Sequence, residues 1–159
     1  MIYRIIYLSA ATELFPDDEI GNLLEISRHN NRDAGITGMM LYHDGSFFQV
    51  LEGDEPAVTA LYARICRDPR NHRHTLLWQG TAAERAFPGW SMGFARIDKL
   101  AERHRDGTQS LNDVAASLQE TVSDPVVKMQ MRSFLHSFRD VDRVGQGDED
   151  GDTGNAPRA

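Results

Sequence analysis

Cysteine is almost missing from this chain: 159 residues include one, Cys66. An internal disulfide and a CxxC metal or redox site are thereby excluded. Long apolar runs are also missing, and nothing approaches the ~20 residues of a membrane span. Positive charge is in short supply, with 17 Lys+Arg against 24 Asp+Glu and a net charge of −7. Nucleic acid and anionic membrane surfaces are therefore poor partners, because binding phosphate needs a positive field. There is no Walker A loop, no GxGxxG after a strand and no GxSxG elbow, so the familiar phosphate-cradling, dinucleotide and hydrolase chemistries lack their motifs. His72 and His74 form an HxH without acidic or thiol partners at metal spacing, and read as surface residues. The opening MIYRIIYLSAATELF lacks a charged leader and a small-residue cleavage pattern. The chain is expected to be cytoplasmic, without a secretory signal and without enzymatic activity of a familiar kind.

What is present suits a globular core: 40% hydrophobic and 26% charged residues, enough for one domain with an appendage. From Gly145 the chain reads GQGDEDGDTGNAPRA, with four carboxylates, one arginine and no large apolar residue. Such a segment cannot bury enough surface to offset its ordering entropy and is expected to be a disordered acidic tail. Residues 2–9 suit a strand with Tyr3, Ile5, Tyr7 and Ser9 on one face and Arg4, Ile6 and Leu8 on the other. Pro16 and the acidic trio Asp17, Asp18 and Glu19 mark a helix start. Its apolar stripe of Ile20, Leu23 and Leu24 turns polar at Ser27 and at Asn30 or Asn31.

Gly35 to Gly53 reads as a hairpin turning at Asp44-Gly45. On its return strand Phe47, Gln49 and Leu51 face one way, Phe48 and Val50 the other. A second helix follows, with Asp54 at its N-cap, Pro56 in its first turn, Val58, Leu61 and Ile65 at core spacing, and Pro69 as its stop. Cys66 on this helix reads as an inert buried thiol. Strands are expected at 75–79 and 90–97, the second lying beside the strand of Gln49. The order β-α-β-β-α-β-β is that of a ferredoxin-like α+β sandwich, two helices covering one sheet face. A helical pair, one helix with Leu111, Val114, Ala115, Leu118 and Val122 and the next from Asp124-Pro125 through Val127, Met131, Phe134, Leu135, Phe138 and Val141, is expected to cover the other. The implied division is a sensor domain at 1–98, a helical extension at 99–144 and the tail at 145–159.

Polar residues at core positions are the functional clue. Tyr7 shares a face with Ile5, Gln49 lies between Phe47 and Leu51, and Ser27 and Asn31 continue an apolar stripe. Each buried polar group left unsatisfied costs ~1–3 kcal/mol. Spacing alone leaves two accounts open: these groups satisfy one another and the backbone, or they face a bound polar heterocycle.

Residues 2–97 resemble a BLUF domain, a flavin-based blue-light sensor. The matching stretches are YRIIYLS at 3–9, NNRDAGITG at 30–38, GSFFQVLEG at 45–53, ICRDPRNH at 65–72 and FPGWSMGF at 87–94. The resemblance implies noncovalent FAD, with FMN or riboflavin as substitutes, slotted between the two helices. Tyr7 matches the photoactive tyrosine, Gln49 the switching glutamine, and Trp90 and Met92 the pair that exchange places near it. The cofactor contacts it implies are Tyr7, Leu24, Ser27, Asn30, Asn31, Phe48, Gln49, Leu51, Arg64, Ile65, Asp68, Arg70 and Met92. Where the family often has Arg followed by His, Arg70 here precedes Asn71 and then His72, so either Asn71 or His72 fills that place. The implied activity is reversible blue-light sensing, passed to an effector protein by a homodimer or larger homo-oligomer. A flavin-dependent oxidoreductase and a cofactor-free ferredoxin-like interaction module are the competing readings.

Overall fold

The computed structural model describes residues 1–97, 116 and 120–138. Five strands form one sheet: β1 Ile2–Ala11, β2 Thr37–His43, β3 Ser46–Gly53, β4 Asn71–Ala82 and β5 Gly93–Arg96, in the order β4-β1-β3-β2-β5. Helices α1 Asp17–Asp33 and α2 Glu55–Cys66 interrupt the strands, and α3 Pro125–His136 follows them. This is the expected α+β sandwich. β1 runs antiparallel to both β3 and β4, and β2 antiparallel to β3, while β5 lies parallel to β2.

Local chemistry explains most boundaries. The β2–β3 hairpin closes between His43 and Ser46, leaving Asp44 at φ 45° and Gly45 at φ 81°. Positive φ at both central residues is the turn that matches strand twist, which is why Asp-Gly sits there. Helix α1 begins after Pro16 with three acids in its first turn and ends with Arg32 in its last, both favourable to its dipole. Helix α2 has Asp54 at the N-cap position without a side-chain capping bond, and it ends at Cys66, ahead of Pro69.

Two expectations need correction. The strand foreseen at 75–79 runs from Asn71 to Ala82, because two register shifts against β1 break the period-2 pattern that a sequence reading follows. The strand foreseen at 90–97 begins only at Gly93 and pairs with β2, so β2 separates it from Gln49's strand.

Strand alternation divides the core in two. Ile5, Tyr7, Met40, Phe47 and Leu51 point toward α1 and α2, joined by Ile20, Leu24 and Val58. Ile6, Met39, Leu41, Phe48 and Val50 point the other way, onto Val127, Met131, Phe134 and Leu135 of α3. Asp124 caps α3, accepting from the N–H groups of Val126 at 2.9 Å and Val127 at 3.0 Å. The first helix of the expected C-terminal pair lies outside the described residues apart from positions 116 and 120, as do Val141, the 98–110 loop and the acidic tail, although Val122 is buried in the α3-side core.

The α3-side face also holds a charge network. Arg4 and Glu52 are 1% and 0% exposed. Arg4 Nε donates to Glu52 at 3.1 Å and Arg4 Nη1 to Asp124 at 2.8 Å, while Trp78 lies 5.9 Å beneath the guanidinium. The second lone-pair set of Glu52 is not idle: its carboxylate accepts the N–H groups of Ala86 at 3.0 Å and Phe87 at 2.7 Å. Two buried charges are thus paired and saturated with hydrogen bonds, the condition under which burial is tolerable.

Candidate functional site

Between α1, α2 and the sheet opens a cleft with an empty volume of about 530 Å³, its mouth included. Sites for small molecules usually combine apolar walls with a few convergent polar groups. Phe15, Leu23, Phe47, Ile65 and Met92 supply the walls; Tyr7, Ser27, Gln49, Asp68 and Arg70 supply the polar groups.

At the floor, β1 and β3 place Tyr7 directly opposite Gln49. The Tyr7 hydroxyl donates to Gln49 Oε1. Gln49 Nε2 in turn donates to the Met92 sulfur at 3.6 Å. One amide therefore accepts from a phenol at one end and donates to a thioether at the other, which fixes its orientation. The Tyr7 ring packs 5.0 Å from Tyr62 and 6.1 Å from His74. Burial drives the Tyr7 phenol well above its ordinary pKa, and Cys66 and Tyr62 push the same way, so Tyr7 keeps its proton throughout the physiological range. Burial, followed by the hydrogen bond to Cys66, pushes Tyr62 up to about 12. Burial and the neighbouring His72 lower the pKa of His74, whose Nε2 is hydrogen-bonded to Asn71.

At the rim, Arg70 grips Asp68, with Nε 3.0 Å from Oδ1 and Nη2 2.5 Å from Oδ2. That bond, against the effect of burial, holds the Asp68 carboxyl below its ordinary pKa. Asn31 is buried in the last turn of α1, and its Nδ2 donates to Ser91 O at 2.7 Å. A second amide N–H and the Oδ1 acceptor remain for another partner.

The structure gathers Tyr7, Ser27, Gln49, Ile65, Asp68, Arg70 and Met92 around one cleft. Leu24 and Leu51 are buried in the same core and Asn31 is buried in α1, all three without lining the cleft. Other expected contacts are not brought in. Phe48 is on the opposite face, 5.6 Å from Phe134, because successive side chains of a strand alternate. Asn30 and Arg64 are exposed. Trp90 does not approach Gln49: it stacks on Phe87 at 5.7 Å with 45% of its surface exposed, and Met92, 3% exposed, takes the inner place. Cys66, expected to be buried, is exposed beside Tyr62. His74, expected at the surface with His72, is half-buried near Tyr7.

Sequence reasoning passed over Ser9, Phe15, Leu23, Met40 and Phe47 as lining residues, and Tyr62 as Tyr7's neighbour. The stripe of Val58, Leu61 and Ile65 already contained the signal for Tyr62, which falls on the same helical face. Among the described residues no cluster of three or more His, Cys, Asp or Glu could hold a metal, and no helix is long and apolar enough to cross a membrane.

A donor set of this kind, polar at the floor and apolar at the walls, suits a planar heterocycle with a polar edge. Comparison with known proteins agrees. Photoactivated adenylate cyclase subunit alpha of Euglena gracilis is 32% identical over 103 residues, 62% of this chain and 10% of that protein. The blue light- and temperature-regulated antirepressor BluF of Escherichia coli is 28% identical over 135 residues, 85% of this chain and 33% of that protein. The chain thus spans between a tenth and a third of these curated relatives. The dark-state structure of BlrB, a BLUF protein, superposes with a TM-score of 0.60 at 30% identity, covering 76% of this chain and 93% of that one. A family model described as sensors of blue-light using FAD matches residues 2–93, more than half of the sequence, and the chain belongs to this BLUF family.

Proposed function

We propose that the chain is a blue-light photoreceptor in which Tyr7, Gln49 and Met92 form the light-responsive unit around noncovalent FAD, with FMN or riboflavin as substitutes. The observation that carries this reading is the directed hydrogen-bond chain from Tyr7 through Gln49 to Met92 on the cleft floor. When bound, the flavin supplies absorption of blue light and a site that takes up one electron and one proton. Tyr7 is the residue that gives them: its phenol is oxidisable, buried and fully protonated. Gln49 responds because its amide has a donor end and an acceptor end. Once Tyr7 loses its proton, the bond that fixes the amide is gone, and Gln49 can rotate or tautomerise to present the opposite polarity to the ring edge. Asn31, Ser27, Asp68 and Arg70 hold and orient the ring and its chain, while Phe15, Leu23, Phe47 and Ile65 exclude water.

The output is a change of binding surface rather than a turned-over substrate. Gln49's rearrangement releases Met92, which leads directly into β5, and strains β3, whose Glu52 reaches α3 through Arg4 and Asp124. Residues 1–98 act as the sensor, and the 99–144 segment carries the signal to an effector protein from a homodimer or larger homo-oligomer.

The test is the visible spectrum of the FAD-loaded protein in darkness and just after blue illumination. A red-shifted band that recovers spontaneously, absent in Tyr7→Phe and in Gln49→Leu, is the expected result. A band that bleaches only with a bound reductant, or a protein that takes up no flavin, overturns the reading.

A further inference from the structure

Residues Trp90, Ser91 and Met92 have left the sheet, yet each of their carbonyls has a donor from elsewhere in the fold. Trp90 O accepts from the Gly38 N–H at 2.9 Å, Ser91 O from Asn31 Nδ2 at 2.7 Å, and Met92 O from Arg28 Nε at 2.9 Å. The first donor belongs to β2 and cannot be altered by a side chain; a Cβ on Gly38 would lie 1.9 Å from Val50 O. Asn31 is buried in α1. Arg28 alone of the three comes from an exposed position, one turn before Asn31 on the same helix. Its bond is also the charge-assisted one, and such bonds are roughly twice as strong as neutral ones.

We propose that Arg28 is a positioning residue for the light reaction: by holding the Met92 carbonyl it keeps the Met92 sulfur against Gln49 Nε2 and so sets the resting orientation of the switching amide. This role rests on the photoreceptor reading above. The geometry requires no contact between Arg28 and the flavin. Met92 is joined to α1 at its carbonyl and to Gln49 at its sulfur, so holding the carbonyl fixes the backbone from which the thioether reaches Gln49. Loss of the Arg28 bond leaves the segment anchored only through residues 90 and 91, and the thioether becomes free to move outward. Gln49 then keeps only the Tyr7 bond of the two that fix its orientation.

Met92 reports its own position, since thioether oxidation by hydrogen peroxide follows solvent access. The experiment exposes the dark, flavin-loaded full chain to peroxide and follows sulfoxide formation by peptide mass spectrometry. Met129, at 58% exposure, is the fast reference, and Met131, at 0%, the buried control. Arg28→Leu removes the donor, whereas Arg28→Gln returns an N–H at the same number of bonds from the backbone. The expected result is Met92 oxidation about tenfold faster in Arg28→Leu, equivalent to ~1.4 kcal/mol, restored toward wild type in Arg28→Gln with Met131 unchanged. Recovery of the resting absorption band after illumination should slow in Arg28→Leu and return in Arg28→Gln. Unchanged Met92 oxidation, a rise shared by Met131, no difference between the Leu and Gln variants, or unaltered recovery in Arg28→Leu overturns the role. A wild-type protein that protects Met92 through Arg28 yet shows no red shift instead overturns the photoreceptor reading, so the two failures are separable.

Discussion

The two faces of the sheet are made by the same strands and have opposite characters. On the α1–α2 face, Tyr7 and Gln49 stand among Ile5, Phe47 and Leu51 and leave an open cleft. One residue along each strand, on the α3 face, Ile6, Phe48 and Val50 pack into a closed apolar layer. On the floor of the first face Tyr7, Gln49 and Met92 are linked in a short neutral chain, while the Asp68–Arg70 ion pair stays at the rim. The polar groups of the second, Arg4, Glu52 and Asp124, are charged and saturated by one another and by backbone N–H groups. A neutral amide can reverse its polarity at small cost, whereas a buried ion pair resists any change that leaves one charge uncompensated. The fold thus keeps its adaptable chemistry on one side and its rigid attachment on the other.

Substitutions sharpen this contrast. The largest loss of stability is expected from the closed face. Arg4→Ala leaves Glu52 buried without its cation and should cost about 3–5 kcal/mol by urea unfolding. Phe48→Ala, which removes the ring packed on Phe134, should cost about as much, ~3–5 kcal/mol. Where these variants remain folded, the light-induced spectral shift should persist, since neither residue lines the cleft.

A smaller effect is expected at Asp124. Burial tends to raise its carboxyl, but the Val127 N–H and the Arg4 guanidinium outweigh that and hold it below its ordinary pKa. A depressed folded-state value contributes stability that is present above the ordinary carboxylate pKa of about 3.9 and is lost as pH falls through the lower folded-state value. Acid titration of α3 docking, followed by hydrogen exchange of the Val126 and Val127 amides, should show this loss in wild type and not in Asp124→Asn. The smallest effect is on the open face. Tyr7's raised pKa means the amplitude of the spectral shift should stay flat from neutral pH up to pH ~10, where an unperturbed phenol would ionise.

Much of this contrast was readable in the sequence, and the exceptions share one physical origin. Alternation along residues 47–51 put Gln49 and Phe48 on opposite faces, and the Asp44-Gly45 turn fixed the hairpin register. Phe48 was nonetheless expected at the cofactor because the resemblance carried it there against the strand's own periodicity. Arg4 on a face with Ile6 and Leu8 was a visible anomaly, but its partners lie 48 and 120 residues away, and nothing local announces them. Residues 90–92 read as strand by composition, yet their carbonyls are satisfied by Gly38, Arg28 and Asn31, donors that only the folded chain brings within reach. The length of β4 was hidden by register shifts that interrupt its alternation. Periodicity thus revealed which face a residue occupies, and long-range hydrogen bonds decided what it does there.

The division of labour between the faces is tested most directly by two neighbours, Gln49 and Phe48. Light-minus-dark spectra of FAD-loaded Gln49→Leu and Phe48→Leu, recorded on folded protein, should differ completely: the first loses the reversible red shift and the second keeps it. A shift that survives in Gln49→Leu, or one abolished in folded Phe48→Leu, would contradict the assignment of light sensing to the polar residues of the α1–α2 face.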